Sequence, residues 1–437
     1  MQRNNTQLQP VLKIKQKLGF LKPMSLAKKL NLSKREDRKC TIADILLGHW
    51  QLISKGSFSF DNWAMQISTI TGRTISGQGL WKRVARPEIV TYIRALLHRS
   101  FAQKYGSFMD SALFCHFDNV YVQDATHFSL PSCLSDVFPG SYSKRGDTAC
   151  AKIQAIFNFK KGRFSDFALD SFRDNDQKDA YRFLGTLMEG DLIIRDLGYF
   201  VLDVFDRIDK GQAYFLSRFK YNILVHDAVT GEGLKLDACL KDKRELDIEV
   251  HLGREKRVKC RFVAIPLSDG IANERRRKAK RNRNKKSNHS KEYLNLLGYS
   301  IYITNVPKEV WTAPNIVQAY KARWYIEILF KSWKGNLRIK NDIPQRYINR
   351  QRAEFFFYSV LLMVNLLVIP IFNKAQQIIE KAGIAISIIK LSEIVRENMQ
   401  MIVNEKINIL EQIKYYAMYE SRKDRINAME TIYFNIS

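Results

Sequence analysis

Paired cysteines are missing from this sequence. Its six cysteines, Cys40, Cys115, Cys133, Cys150, Cys239 and Cys260, are scattered, with no C-x-x-C pair and no zinc-like histidine spacing. That excludes a disulfide framework and a structural zinc, and fits a reducing compartment. No secretory signal is expected, because Lys13, Lys15 and Lys17 interrupt the N-terminal apolar residues before an h-region forms. No internal repeat is visible. Acidic residues are also short in supply, 44 against 71 basic ones, for a net charge of +27. Such an excess points to a polyanionic partner, either nucleic acid or an anionic membrane. Only one run, Phe355 to Phe372, is long enough and free enough of charge to suggest a membrane span. It contains Ser359, Asn365 and Pro370 and has polar sequence close on both sides, so it is expected to be a helix buried in a large domain.

At 437 residues and 46% apolar content, the chain is expected to fold into two or three domains around at least one large core. Residues 1–100 carry 18 basic and 5 acidic residues, about half of the whole excess. Helical periodicity covers Ile42–Ser54, Asp61–Thr71, Gly77–Val84 and Pro87–Tyr105, and Ser76 is placed to cap the helix carrying Lys82 and Arg83. Short, basic helices suit a major-groove reader, although a generic helical cap reads similarly. From about residue 115 the texture changes. Val120–Thr126 is a β-rich run that ends on an acid, Asp124, and turn-prone residues, and Ala151–Phe159 alternates as a half-buried strand does. A turn at Lys160-Lys161-Gly162 leads into a second strand, Arg163–Phe172; Asp176–Met188 reads as a helix and Asp191–Arg195 as a short buried strand. The order β–β–β–α–β implies a mixed sheet with a helical crossover.

Strands continue at Ala213–Phe219, Leu246–Leu252, Lys256–Pro266 and Gly298–Thr304, forming a mainly β insertion. Within it, nine positive charges fall in residues 275–286, a block expected to be a disordered surface loop that binds phosphates without sequence preference. Amphipathic helices at Ser387–Met399 and Lys406–Tyr419 end the chain.

Everything is organised around Tyr320–Lys334, read as one helix. At about 100° per residue, Tyr320, Arg323, Glu327 and Lys334 fall within a sector of roughly 60°. One acid flanked by two cations and a phenol suits a phosphate-rich substrate, with the acid on a metal and the cations on oxygens. A solvated face with ion pairs has the same pattern. Two further acids stand out by position, Asp124 and Asp196, each at the end of an expected strand. Three carboxylates meeting at a sheet edge repel unless divalent cations sit between them, and such cations activate and stabilise oxygens in phosphodiester chemistry. Asp191, at the opposite end of its short strand, is the poorer choice.

Tyr320-x2-Arg323-x3-Glu327-x6-Lys334 resembles the YREK signature of insertion-sequence-four-type DDE transposases. Asp124-Ala-Thr126 is similar to that family's first-acid motif and Asp196-Leu-Gly198-Tyr199-Phe200 to its second. The separations of 72 and 131 residues fit an α/β ribonuclease-H-like core interrupted by a β insertion before the third acid. The resemblance covers roughly residues 115–372. It implies that Asp124, Asp196 and Glu327 are catalytic and bind two Mg2+ (or Mn2+) ions. It further implies that Tyr320, Arg323 and Lys334 grip DNA phosphates near the cut. Trp324 is a candidate for stacking on a flipped base, with a core position as the alternative; Tyr325, Phe330 and Trp333 are assigned to packing.

The expected layout is a helical DNA-binding domain at 1–110, core at 111–209, a β-rich insertion at 210–305 with its basic loop at 274–291, core again at 306–372, and a helical region at 373–437. The implied activity is cleavage at terminal inverted repeats, through hairpin ends, followed by strand transfer into target DNA. The partners are DNA and a second copy in a synaptic homodimer, not a membrane, and the expected location is the bacterial cytoplasm at the nucleoid. Rival readings are a nuclease without strand transfer, a noncatalytic DNA-binding derivative, and a polybasic membrane-associated protein.

Overall fold

The computed structural model describes residues 14–32, 39–55, 58–102, 111–142, 146–240, 244–255, 257–281, 290–338, 343–344, 348–379, 385–415, 419–426 and 429. The chain begins with helices α1 (Ile14–Phe20), α2 (Pro23–Lys29), α3 (Ile42–Leu52), α4 (Phe60–Thr71), α5 (Gly77–Arg83) and α6 (Pro87–Ser100). Strands β1 (Val120–Leu130), β2 (Ala149–Asn158) and β3 (Arg163–Ser171) follow, then α7 (Asp176–Arg182), β4 (Leu192–Arg195), α8 (Leu202–Lys210) and β5 (Tyr214–Arg218). Next come β6 (Val225–Asp227), α9 (Leu236–Cys239), β7 (Leu246–Leu252), β8 (Val258–Pro266), α10 (Asp269–Lys280), α11 (Lys291–Leu296) and β9 (Tyr299–Thr304). The last part holds α12 (Ala313–Lys321), α13 (Trp324–Gly335), α14 (Arg350–Met363), α15 (Ile369–Ile379), α16 (Ile388–Glu397), α17 (Met399–Val403) and α18 (Ile409–Tyr415). Two compact units emerge, one of Met1–Met109, Ala125–Asp174 and Trp324–Phe434, the other of Asp110–Asp124, Asn175–Arg323 and Asn435–Ser437.

The second unit is built on strands in the order β1-β4-β5-β9-β8-β7-β6. The β1-β4 and β4-β5 pairs are parallel and every later pair is antiparallel, a mixed α/β sheet. β4 is Leu-Ile-Ile-Arg, buried along its length, as a strand with neighbours on both sides must be. Strands of the expected insertion thus extend the sheet that β4 belongs to. Three expectations change here. Asp124 lies within β1, not at its end: β1 runs on to Leu130, and only Val120–Gln123 pair with the shorter β4. The basic block is not loop throughout, because Glu274–Lys280 belong to α10, where Arg275 and Arg276 donate to the carbonyls of Tyr299 and Leu294, each at 3.0 Å. Positions 282–286 of the block lie outside the described residues. The helix expected over Asp176–Met188 stops at Arg182, and a 3-10 turn at Leu184–Thr186 contains Gly185.

In the first unit the N-terminal helices start where their caps say they should. Thr41 and Asp44 form a capping box on α3, and Ser59 and Ser76 accept from backbone N–H groups at the starts of α4 and α5. These helices do not stand apart; they share a core with α14. Ser359 of α14 is hydrogen-bonded to His49 and accepts from the Trp50 indole, and Asn365 donates to the Ser100 hydroxyl. The Phe355–Phe372 run spans α14, a π-helical turn at Val364–Val368 and the start of α15. Arg350–Ile378 is long and apolar enough to cross a membrane, yet its most apolar window is wholly buried within the protein. Its polar residues are the ones with partners, which is why they sit in an apolar run. Lys17 donates to the Leu366 carbonyl of the π turn at 3.1 Å. Strands β2 and β3 pair antiparallel through the tight turn at Gly162, whose φ of 56° favours glycine. β2 is buried almost throughout instead of on one face, its polar Lys152 donating to the Asp174 carbonyl.

Candidate functional site

The organising stretch is two helices, not one. α12 ends at Lys321, the N–H groups of Ala322 and Arg323 reach back three residues to Ala319 and Tyr320, and α13 begins at Trp324. The tight turn interrupts the continuous helical periodicity on which the single face of Tyr320, Arg323, Glu327 and Lys334 was expected. Tyr320 and Arg323 belong to the second unit; Trp324, Glu327 and Lys334, all on α13, belong to the first.

Within the second unit, the parallel register pairs Gln123 with Arg195, so Asp124 and Asp196 follow as the next residue on each strand. Asp196 keeps an extended backbone, with φ −76° and ψ 165°. Successive side chains alternate between faces, which sends Gln123 and Arg195 one way and the two aspartates the other. Gln123 and Arg195 are fully buried. Gln123 donates to the Asp179 carboxylate at 2.6 Å, and Arg195 donates to the Ala180 carbonyl at 3.0 Å, so both residues are fixed to α7. Burial lowers Arg195 to about 10, with Tyr199 and Asp179 opposing the fall.

On the other face the two aspartates share one cation. Arg323 Nη1 lies 2.9 Å from Asp124 Oδ2, and its Nε lies 3.9 Å from Asp196 Oδ1. The Asp124 side chain is 16% exposed, that of Asp196 43%. The Tyr320 hydroxyl donates to Asp196 Oδ1 at 3.2 Å. Burial pushes the Tyr320 phenol well up; Arg323 opposes that and Asp196 adds to it, so the hydroxyl stays a neutral donor. Arg218 lies 5.5 Å from the centre of the Tyr320 ring, and Tyr302 packs against the same ring. Tyr199, from the second-acid motif, is buried, and burial and then Asp124 push its pKa well up. Four of the residues expected in the site, Asp124, Asp196, Tyr320 and Arg323, therefore meet.

On α13, Tyr325 and Trp333 are fully buried and pack on Phe157, Phe159, Phe164 and Phe167, while Phe330 lies against Trp333. Trp324 is 49% exposed, with Lys331 6.0 Å from its ring, which excludes the core position. Glu327 is half-buried and Lys334 exposed, its ammonium 5.5 Å from the Phe128 ring. Partial burial draws the Lys334 pKa down, and Cys150 opposes the shift. Asp191 is fully buried and accepts from Asn119 and from the Met188 N–H, a structural role that fits its rejection as an acid of the site.

Gln123, Arg195 and Asp179 were not anticipated. A signal existed, since each acid is preceded by a long polar residue at the end of an apolar strand run, Val-Tyr-Val-Gln and Leu-Ile-Ile-Arg. Among the described residues no group of three or more His, Cys, Asp or Glu side chains stands together in a form that could hold a metal. Asp124 and Asp196 nonetheless fit a hard divalent cation as donors: they are carboxylates that already hold one positive group between them.

Residues 116–366 match the model of the transposase DDE domain family. The chain is 29% identical over 401 residues to the transposase for insertion sequence element IS231E of Bacillus thuringiensis subsp. finitimus, covering 86% of this chain and 83% of that protein. It is 31% identical to the IS231D transposase of the same organism, over 82% of this chain and 78% of the relative. It is 26% identical to the IS1151 transposase of Clostridium perfringens, over 62% and 61%.

Proposed function

We propose, for a chain that belongs to the transposase DDE domain family and is therefore a DNA transposase, that Asp124, Asp196 and Glu327 are its three catalytic acids. One observation carries the reading: the register of β1 on β4 sets two aspartates side by side on a shared guanidinium. Glu327 is added by sequence order and by its spacing from Tyr320, Arg323 and Lys334 in the YREK pattern of insertion-sequence-four-type enzymes. Two Mg2+ or Mn2+ ions held by these acids would supply the charge that activates an attacking oxygen and stabilises a leaving one. The protein's own part is to hold the carboxylates and orient the DNA. Arg323 and Lys334 take phosphate oxygens, and the neutral Tyr320 hydroxyl orients the Asp196 carboxylate. Trp324, half-exposed on α13, is available to stack on a base flipped out during hairpin formation.

The core is read as ribonuclease-H-like, with helices α3 to α6 reading terminal inverted repeats; Lys82 of the Ser76-capped α5 is exposed for such contacts. The active unit is a homodimer joining two ends in the bacterial cytoplasm. The test is incubation of the protein with Mg2+ and duplexes made from the DNA flanking its own coding sequence, resolved on one gel. Nicked, hairpin and joined products are expected. Cut DNA with no joined product would leave a nuclease, and end binding without any cut would leave a noncatalytic derivative.

A further inference from the structure

Arg323 stands in an unusual place for a residue whose task is to grip DNA. Its guanidinium is buried and engages both aspartates, at 2.9 and 3.9 Å. Two carboxylates so close need a counter-charge whether or not a metal is present. Tyr320 adds a neutral hydrogen bond to Asp196 but no charge. Of the neighbouring arginines, Arg218 lies over the Tyr320 ring, and Arg195 points to the opposite face and is fixed to Ala180.

We propose that Arg323 is an internal stand-in for the divalent cation, a positioning residue that holds Asp124 and Asp196 together in the metal-free protein and must be displaced before a metal binds there. This rests on the reading of Asp124 and Asp196 as metal ligands. The consequence is thermodynamic. A metal that competes with a bound guanidinium has its apparent affinity reduced by the fraction of molecules in which the guanidinium is in place. Removing the guanidinium therefore tightens metal binding, the opposite of what loss of a supporting contact does. It also removes the counter-charge that the empty pair of carboxylates depends on.

The experiment is calorimetric titration of Mn2+ into the DNA-free full-length protein, as wild type, Arg323→Gln, Arg323→Lys and Asp124→Asn, with thermal melts in EDTA and in Mn2+. Arg323→Gln is expected to bind Mn2+ about tenfold or more tightly than wild type. Arg323→Lys, which keeps the charge but loses the planar fork, should fall between the two. Arg323→Gln should also melt lower than wild type in EDTA and regain the difference in Mn2+, so poor folding without metal is itself a readable result. If Arg323→Gln binds Mn2+ equally or more weakly while Asp124→Asn abolishes binding, the stand-in role is overturned and the metal-site reading survives. If Asp124→Asn binds as wild type does, the metal-site reading fails and the proposal falls with it.

Discussion

Lys17 is 3% exposed and donates to the Leu366 carbonyl, and burial draws its pKa down from 10.5 to about 8. The folded-state value lies below the unfolded one, so the folded protein gives up this proton first as pH rises. The cost of keeping Lys17 charged inside the fold is fully present below about pH 8 and fades as pH climbs toward 10.5. The shift corresponds to a few kcal/mol, on the order of 3. Chemical denaturation from pH 7.5 to 10 should show wild type gaining stability relative to Lys17→Met, and parallel curves would remove Lys17 as the cause. The two tryptophans at the ends of α13 offer a second contrast. Trp333→Ala, at a fully buried site among Phe164, Phe167 and Phe330, should cost about 3–5 kcal/mol in urea. Trp324→Ala, with half its surface in water, should stay within about 0.5 kcal/mol while impairing hairpin formation more than the first nick. Equal loss at both steps would argue against a base-stacking role.

Among elements, α10 divides its charges by task. Arg275 and Arg276 tie the helix to backbone carbonyls, whereas Arg277 and Lys280 are exposed. Arg277→Ala or Lys280→Ala should each lower the slope of log affinity for DNA against log salt by about 1, leaving the melt unchanged. Arg275→Ala or Arg276→Ala should lower the melting temperature instead, through a lost bond of about 1–3 kcal/mol from a charged donor. The same scale shows what was legible in the sequence. Helices α3, α4 and α5 were, because their apolar periodicity is local, and for α5 the Ser76 cap marks the start as well. The break between α12 and α13 was not: Lys-Ala-Arg-Trp has neither glycine nor proline, and nothing local distinguishes a three-residue reach-back from a continuing helix. Asp124 was misplaced to a strand end because the length of β1 is set by partners distant in sequence. Asp124 and Asp196 stood out in the sequence all the same, since an acid closing an apolar run is a local pattern. The guanidinium between them did not, because that contact joins residues 199 apart.

At the scale of the whole molecule, the charge of +27 and the family agree on DNA as the partner. The acids and the charge should separate cleanly by experiment. EDTA, or Glu327→Ala, should abolish cleavage of end DNA while mobility-shift affinity stays within about twofold. Raising salt should do the reverse, weakening binding along a straight log–log line. Loss of binding on Glu327→Ala would instead place that residue in the packing of α13.

The π turn at Val364–Val368 lies between α14 and α15, and each extra residue it accommodates turns the rest of the helix by about 100°. Downstream, Asn373 donates to the Gly162 carbonyl in the β2–β3 turn at 2.6 Å. Upstream, Ser359 meets His49 and Trp50. The turn is therefore a phase shifter that lets one apolar rod satisfy two sets of polar partners that a uniform α-helix would put out of step. Deleting a single residue between 364 and 368 should keep the rod apolar and helical by circular dichroism and still lower its melting temperature, because Asn373 would swing away from its carbonyl.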